Sequence, residues 1–193
     1  MKLCSCVLAA GGSERFGREK LLEILEGKPL ILHSIKTASF LEDVILIVRS
    51  NLNLPKIPSS VDVVKNPGWK EGMASSVRIC VKRAMEKGCD GVFVFLGDMP
   101  AISKECIDVV LKNLKKGKII YPVRKGKKGF PTFISKEVFE EVLKLSGDVG
   151  VSSIIKEHKE WCFEVEVSSE GCFADVDNPK DLERIKEILK KGS

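Results

Sequence analysis

The sequence predicts an α/β protein built on a mostly parallel, twisted central sheet covered by helices on both faces. Three observations carry this. Val44–Val48 (VILIV) and Val92–Leu96 (VFVFL) are continuous apolar runs rich in β-branched and aromatic residues, without the polar alternation of a strand that has one wet face. Helical periodicities separate these runs from one another, which requires crossover connections. A glycine-rich loop follows the apolar run that ends at Ala10 and an acidic one follows Val92–Leu96, and in open α/β sheets ligands bind beyond the carboxyl ends of the strands. At 193 residues, against a prior of about 150 per domain, one domain spanning 1–193 is expected.

The elements follow in order. Leu3–Ala10 (LCSCVLAA) reads as a strand that ends abruptly in Gly11, Gly12 and Ser13. Leu30–Phe40 follows Pro29, a favoured helix-start residue, and places Leu30, Ile31, Ile35 and Ala38 close to helical spacing. Val44–Val48 is the second strand and Val61–Val64 a short third. Ala74–Lys87 sets Val77, Val81, Ala84 and Met85 on one helical face and is closed by Gly88. Val92–Leu96 completes a β-α-β-α-β series. Beyond it the pattern predicts a helix over Ser103–Leu114, capped by Ser103 without a capping-box Glu. Strands at Ile119–Val123 and Thr132–Ile134 flank a basic turn, Arg124–Gly129. Helices follow at Lys136–Leu145 and Val151–His158, then strands at Phe163–Val167 and, more briefly, Cys172–Ala174, and a closing helix at Pro179–Lys190.

Composition narrows the function classes. Hydrophobic residues make up 44 % and charged residues 31 % of the chain, enough apolar side chains for a core and too much charge for a disordered or membrane-resident chain. No apolar stretch approaches the roughly 18 residues of a spanning helix, and Met1–Ala10 lacks the flanks of a signal peptide, so a cytoplasmic location without membrane association is expected. The net charge of +5 suits a small anionic substrate as well as it suits nucleic acid, so charge alone does not decide between them. The basic run Arg124–Lys128 has no interleaved aromatics, which argues against a nucleic-acid platform. Glu is twice as frequent as Asp and Gln is absent, a bias reported in proteins of hot environments. The seven cysteines are odd in number and show no C-x-x-C spacing, so buried, reduced, inert thiols are expected rather than a disulfide framework or a zinc site. Cys4 and Cys6 should point to one face of their strand.

Two loops carry the candidate chemistry. In Leu8-Ala9-Ala10-Gly11-Gly12-Ser13-Glu14-Arg15-Phe16-Gly17-Arg18-Glu19-Lys20 the glycines let the backbone approach a ligand, its N–H groups can face phosphate oxygens, and Arg15 and Lys20 add full charges. Gly12–Gly17 has the glycine spacing of a P-loop but continues Arg18-Glu19 in place of Lys-Ser/Thr, and no G-x-G-x-x-G occurs. The second loop, Gly97-Asp98-Met99-Pro100, puts a carboxylate at the end of a buried strand, where it can hold Mg2+, an ion that takes one or two protein carboxylates. Asp177, in Asp175-Val176-Asp177-Asn178-Pro179, is a second ligand candidate; either it or Asn178 is equally placed to cap the last helix. His33 and His158, the only histidines, lie in neither loop, which disfavours a hydrolase triad and assigns them structural or surface roles.

Taken together these segments resemble the small MobA-like nucleotidyltransferases of the molybdenum-cofactor group, and within it the cytidylyltransferase subfamily. The likeness is carried by Leu8-Ala9-Ala10-Gly11 with Ser13, Arg15, Gly17 and Lys20-Leu21-Leu22, by Gly27-Lys28-Pro29-Leu30, and by Asn66-Pro67 with Trp69, Glu71-Gly72-Met73 and Ser75-Ser76-Val77. Gly97-Asp98-Met99-Pro100 and Asp175-Val176-Asp177-Asn178-Pro179-Lys180-Asp181-Leu182 complete it. One departure stands out: Gly129-Phe130-Pro131 replaces the usual Gly-His-Pro of the subfamily.

The resemblance implies a three-layer, Rossmann-like nucleotidyltransferase fold and transfer of a nucleoside monophosphate from an NTP to a phosphomonoester, with release of pyrophosphate. The acceptor implied is molybdopterin or the molybdenum cofactor, a phosphorylated pterin, and the cofactor is Mg2+. Arg15, Lys20 and Asp98 are then catalytic. Leu8, Ala9, Ala10, Gly11, Gly12, Ser13, Arg15, Lys20, Asn66, Ser75, Ser76 and Gly97 bind the nucleotide, and Asp98 and Asp177 hold the metal. The Ala-Ala-Gly form at Ala9–Gly11 resembles the cytidylyl branch, so CTP is the expected donor, one backbone-lined methyl being worth about 1–3 kcal/mol against a purine. Two other readings are carried forward: a guanylyl or other nucleotidyltransferase acting on a sugar phosphate or similar metabolite, and a non-catalytic nucleotide-binding module that delivers cofactor to a molybdenum hydroxylase.

Overall fold

The structure is a computed structural model and describes residues 1–12 and 16–191. The chain runs β1 (Leu3–Ala9), a short hairpin of β2 (Ile24–Leu25) and β3 (Lys28–Pro29), α1 (Leu30–Ala38), β4 (Asp43–Arg49), β5 (Val61–Asn66) and α2 (Met73–Glu86). It continues through β6 (Gly91–Leu96), α3 (Lys104–Leu111), β7 (Ile119–Arg124), β8 (Lys127–Lys128) and β9 (Thr132–Ser135). The last elements are α4 (Phe139–Leu143), α5 (Val151–Glu157), β10 (Cys162–Glu166) and α6 (Asp181–Lys191).

Seven strands lie in the order β10-β7-β9-β6-β1-β4-β5, and β8 pairs with β7. The β1–β4, β1–β6, β4–β5 and β7–β10 pairs are parallel, whereas β9 runs antiparallel to both β6 and β7. The sheet is therefore mostly parallel, as expected, with one reversed strand between its halves.

Strand periodicity makes the layers. Along β1, β4 and β6 successive side chains alternate faces. Val7, Leu46, Phe93 and Phe95 pack with Ile31 and Ile35 of α1 and Ile107 and Val110 of α3. Cys4, Cys6, Ile45, Ile47, Val92 and Val94 meet Val77 and Val81 of α2, Phe139 of α4 and Ile154 of α5. Both sets are buried, which is why the strands read as unbroken apolar runs. Burying a side chain of this size is worth about 1.5–3 kcal/mol, so the central three strands anchor the molecule and hold the loops at their ends. A smaller cluster joins Phe16, Leu25 and Leu30 to Ala101, Val176 and Ile185, tying the segment after the first loop to α6. Among the described residues no helix is long and apolar enough to cross a membrane.

Several local expectations are corrected. Cys172–Ala174 is not a strand: Glu170–Phe173 forms a 3-10 turn, and Gly171 lies so close to the Ala101 carbonyl that a Cβ would overlap it. The Lys136–Leu145 helix is divided into a 3-10 turn at Lys136–Val138 and α4. Ser103 precedes α3, but its hydroxyl faces the Cys106 sulfur at 3.5 Å and makes no cap hydrogen bond. The basic turn is the tip of the β7–β8 hairpin, with positive φ at Lys125 and Gly126, as a two-residue hairpin loop requires.

The cysteine expectation is overturned in part. Cys4 is bonded to Cys89 and Cys106 to Cys172, leaving Cys6, Cys80 and Cys162 free. The paired residues are 85 and 66 positions apart and meet only because the sheet brings distant segments together, so local spacing carried no signal. Cys6 remains an inert thiol: burial, reinforced by its neighbour Cys80, pushes its pKa well up. Cys4 and Cys6 do share a face.

Candidate functional site

The carboxyl ends of β1, β4, β5 and β6 lie along one edge of the sheet, and a cleft of about 830 Å3 opens there. Leu8, Ala9, Ala10, Gly11 and Gly12 form one wall, Trp69, Lys70, Met73 and Ser76 the opposite one, and Lys20, Asp98 and Asp177 line it as well. The Gly-rich loop therefore borders the cavity, as the sequence implies. Ser13 and Arg15 lie outside the described residues.

Lys20 belongs to a 3-10 turn, Lys20–Leu22. Its ammonium donates to Asp98 Oδ2 at 2.6 Å and to the Val176 carbonyl at 2.9 Å, and lies 3.8 Å from Asp177 Oδ1. Two carboxylates from distant parts of the chain thus face one cation. Backbone bonds fix the geometry. The Val176 N–H donates to the Asp98 carbonyl at 2.9 Å, and the N–H groups of Asp177 and Asn178 both donate to Asp181 Oδ2 at 2.9 Å. Burial works to raise the Asp181 pKa, but those two N–H groups, with Arg184 and Lys20 nearby, hold it below the usual carboxylate range. The cap role falls to Asn178, whose Oδ1 accepts from the Lys180 N–H at 3.0 Å. The Asp177 carboxylate is left half-exposed beside Lys20.

The remaining predicted residues divide into those that line the cleft and those behind it. Asn66 is 1 % exposed, and its Nδ2 donates to Ser75 Oγ at 2.8 Å and Ser76 Oγ at 3.0 Å, while its Oδ1 has no partner among the described residues. Ser75 in turn donates to the Gly72 carbonyl at 2.9 Å. Of the three, only Ser76 reaches the cavity; Asn66 and Ser75 act behind it, joining the end of β5 to the start of α2. Gly97 is also absent from the cavity wall. Its N–H donates to Leu8 and its carbonyl accepts from Ser34, and an added Cβ would lie 3.1 Å from that of Ala9. Its role is close packing between two strand ends.

Arg49, at the end of β4, was not singled out from the sequence. Its Nη1 donates to the Gly11 carbonyl at 2.8 Å, it is ion-paired with Glu19, and its guanidinium lies 5.7 Å from the centre of the Trp69 ring. It connects the Gly-rich loop to the opposite wall. The available signal was positional: a single basic residue closing an apolar strand on the ligand-binding edge. Asp148, also missed, lines the cleft and accepts from the Met73 N–H at 3.2 Å. Gly72, with φ of +101°, fits against the backbone of Asp148 where a side chain would collide.

Outside the cleft, His33 bonds the Leu25 carbonyl at 2.8 Å and His158 stacks on Trp161 at 3.8 Å, the structural roles expected of them. Phe130 packs between the two large core clusters and does not line the cavity. In the basic hairpin, Lys127 donates to the Phe173 carbonyl at 3.0 Å and Lys128 lies 5.2 Å from the Tyr121 ring centre.

Comparison with known proteins bears on this edge. The MobA-like NTP transferase domain matches residues 5–161. The chain belongs to that family. A probable molybdenum cofactor guanylyltransferase of Thermococcus sibiricus is 33 % identical over 129 residues, 64 % of this chain and 62 % of the relative. A second, from Pyrococcus horikoshii, is 30 % identical over 67 % of this chain and 66 % of its own length. Both matches thus span less than two thirds of the relative. A third, from Thermococcus kodakarensis, is 29 % identical over 95 % of this chain and 94 % of its own length. Among solved structures, a mycobacterial homologue of Rv0371c has a TM-score of 0.81 at 21 % identity, covering 99 % of this chain and all of that one. A nucleotidyl transferase from Methanothermobacter has a TM-score of 0.77 at 20 % identity, covering 100 % and 99 %. These two establish the three-layer, Rossmann-like fold.

Proposed function

We propose that the enzyme transfers a nucleoside monophosphate, preferentially from GTP, to the phosphate of a phosphorylated pterin with release of pyrophosphate. The observation that carries this reading is the meeting of Lys20, Asp98 and Asp177 at the end of the Gly-rich loop.

The residues present fit a divalent cation. Asp98 and Asp177 supply hard oxygen donors that already share one cation, and Mg2+ fills its remaining positions with water and phosphate oxygens. Asp98 and Asp177 would hold it. When bound, such an ion neutralises charge on the reacting phosphate. A manganese complex among the structural relatives supports a divalent requirement. The acceptor phosphomonoester, with a second pKa of about 6, is largely dianionic at neutral pH and attacks without a general base. That agrees with a cleft in which neither histidine takes part. Lys20 and the loop amides would bind the triphosphate and stabilise departing pyrophosphate, so catalysis consists of holding two anions in line. Arg15 is assigned to the same task.

Donor choice moves from the CTP expected of Ala9-Ala10-Gly11 to GTP on two grounds. Ala9 and Ala10 are 2 % and 5 % exposed and belong to the two core clusters, so a one-methyl difference at these positions is a weak ground for excluding a purine. The curated relatives described above carry the name probable molybdenum cofactor guanylyltransferase. A panel of four NTPs with Mg2+ and either a phosphorylated pterin or sugar phosphates, read by pyrophosphate release, tests both choices. GTP with the pterin should turn over fastest. A faster reaction with CTP would restore the cytidylyl reading, and turnover only with sugar phosphates would reassign the acceptor. Binding without turnover would favour the delivery module for a molybdenum hydroxylase.

A further inference from the structure

We propose that the Cys106–Cys172 disulfide is a positioning element for the two-carboxylate site, fixing the chain segment that carries Asp98 against the one that carries Asp177. The inference rests on the reading of Asp98 and Asp177 as the metal-holding pair.

The bond joins those two segments and nothing else. Asp98 is followed by Ala101 and Ile102, which lead into α3, where Cys106 is the third residue. Cys172 sits in the 3-10 turn that leads to Val176 and Asp177. Both sulfurs belong to fully buried residues with Cα atoms 6.2 Å apart. Close packing of Gly171 on the Ala101 carbonyl accompanies the bond, and the Cys172 carbonyl is anchored separately by the Phe130 N–H at 2.8 Å.

The other ties between the segments are apolar packing of Ala101 with Val176 and of Gly171 on Ala101, one backbone hydrogen bond from the Val176 N–H to the Asp98 carbonyl, and the Lys20 ammonium. The last of these must change in use. A divalent cation and the ammonium compete for the same carboxylate oxygens, and two carboxylates with their lysine displaced repel one another. Of the ties that ligand binding leaves intact the disulfide is the covalent one, so it helps keep the oxygens preorganised while the ionic bridge is exchanged.

The molecule contains its own control. Cys4–Cys89 joins the start of β1 to the turn before β6, at the opposite end of the same strands, where Leu3 pairs with Gly91. Its loop of 85 residues is comparable to the 66 of the other bond, so similar stabilisation is expected from each. Only the second touches the site.

The test is a calorimetric titration of MnCl2 into the full chain, alone and with GTP, for wild type, C106S/C172S and C4S/C89S, with melting temperatures alongside. The expected result is a comparable fall in melting temperature for both pairs, with Mn2+ affinity weakened about tenfold in C106S/C172S and within twofold of wild type in C4S/C89S. C106A/C172A, which buries no hydroxyl, should repeat the loss. Equal weakening in both pairs, or none in C106S/C172S, overturns the proposal. Should the serine and alanine pairs not fold, C4S/C89S is compared before and after reduction by a small dithiol. Two electrons and two protons pass to the sulfurs, giving two thiols and the dithiol's cyclic disulfide. Affinity must fall on reduction and return on reoxidation, or the proposal fails. If wild type does not bind Mn2+, or D98N/D177N binds it equally well, the metal reading itself falls, and the inference with it.

Discussion

A lysine between two carboxylates serves two purposes. Lys20 faces both Asp98 and Asp177, and on the proposed function it is also the cation for the triphosphate, so its replacement should be felt in turnover. D98A or K20A is expected to lower turnover by a factor on the order of 100 to 1,000, the range for losing one electrostatic stabiliser; steady-state pyrophosphate release measures it. Near-normal rates in purified, folded D98A would remove Asp98 from the metal site. At this scale the sequence was informative where residue type and position coincided. Asp98 follows a strand visible as VFVFL, and Lys20 closes a glycine-rich loop. Arg49 carried no such pattern, because its importance lies in reaching Gly11 across the edge of the sheet. Asn66 and Ser75 were placed in the right neighbourhood, and the hydrogen bonds they make join the end of β5 to the start of α2.

Among the elements, the helices and parallel strands were readable because burial on both faces leaves a signature that composition alone reveals. The reversed strand β9 was not, since the four residues Thr132–Ser135 have no feature that sets direction. The 3-10 turn at Glu170–Phe173 was misread for a related reason: its shape follows from contact with Ala101, a residue far away in sequence. One packing contact between elements makes a pH prediction. Arg83 of α2 holds Asp62 of β5 through Nε at 2.6 Å and Nη2 at 3.3 Å. These bonds and the guanidinium charge, aided by Lys87 and opposed by burial, lower the Asp62 pKa. A carboxylate depressed in the folded state adds stability above its unfolded value of about 3.9, and that stability is lost as pH falls through the folded value. D62N should therefore lower the melting temperature at pH 7 by about 1–3 °C, with the difference from wild type shrinking below about pH 4. A difference independent of pH between 3 and 7 would contradict the ion pair.

For the whole molecule, the two disulfides change how the composition is understood. The Glu-rich, Gln-free composition matches a bias reported in proteins of hot environments, and proteins of hyperthermophiles are a disulfide-rich class even inside the cell. Alkylation of the unfolded, unreduced protein should label three thiols, Cys6, Cys80 and Cys162, and all seven after reduction, as counted by intact mass. Reduction should also lower the melting temperature by on the order of 10 °C, given about 2–4 kcal/mol per bond. Seven thiols labelled without reductant, in protein purified under oxidising conditions, would refute the pairing.

The position of β1 has a consequence for synthesis. It is the earliest of the described strands in this sequence and interior to the sheet, lying between β6 and β4. Its partner on one side is complete only at Arg49, and on the other only at Leu96. At about 5–20 residues per second, the ribosome needs roughly 4 to 17 s to pass from Ala9 to Leu96. For that interval an apolar strand with an open hydrogen-bonding edge is held in the nascent chain. The strand that contributes Leu8 and Ala9 to the cleft is thus paired on both sides only once the chain has been made as far as Leu96.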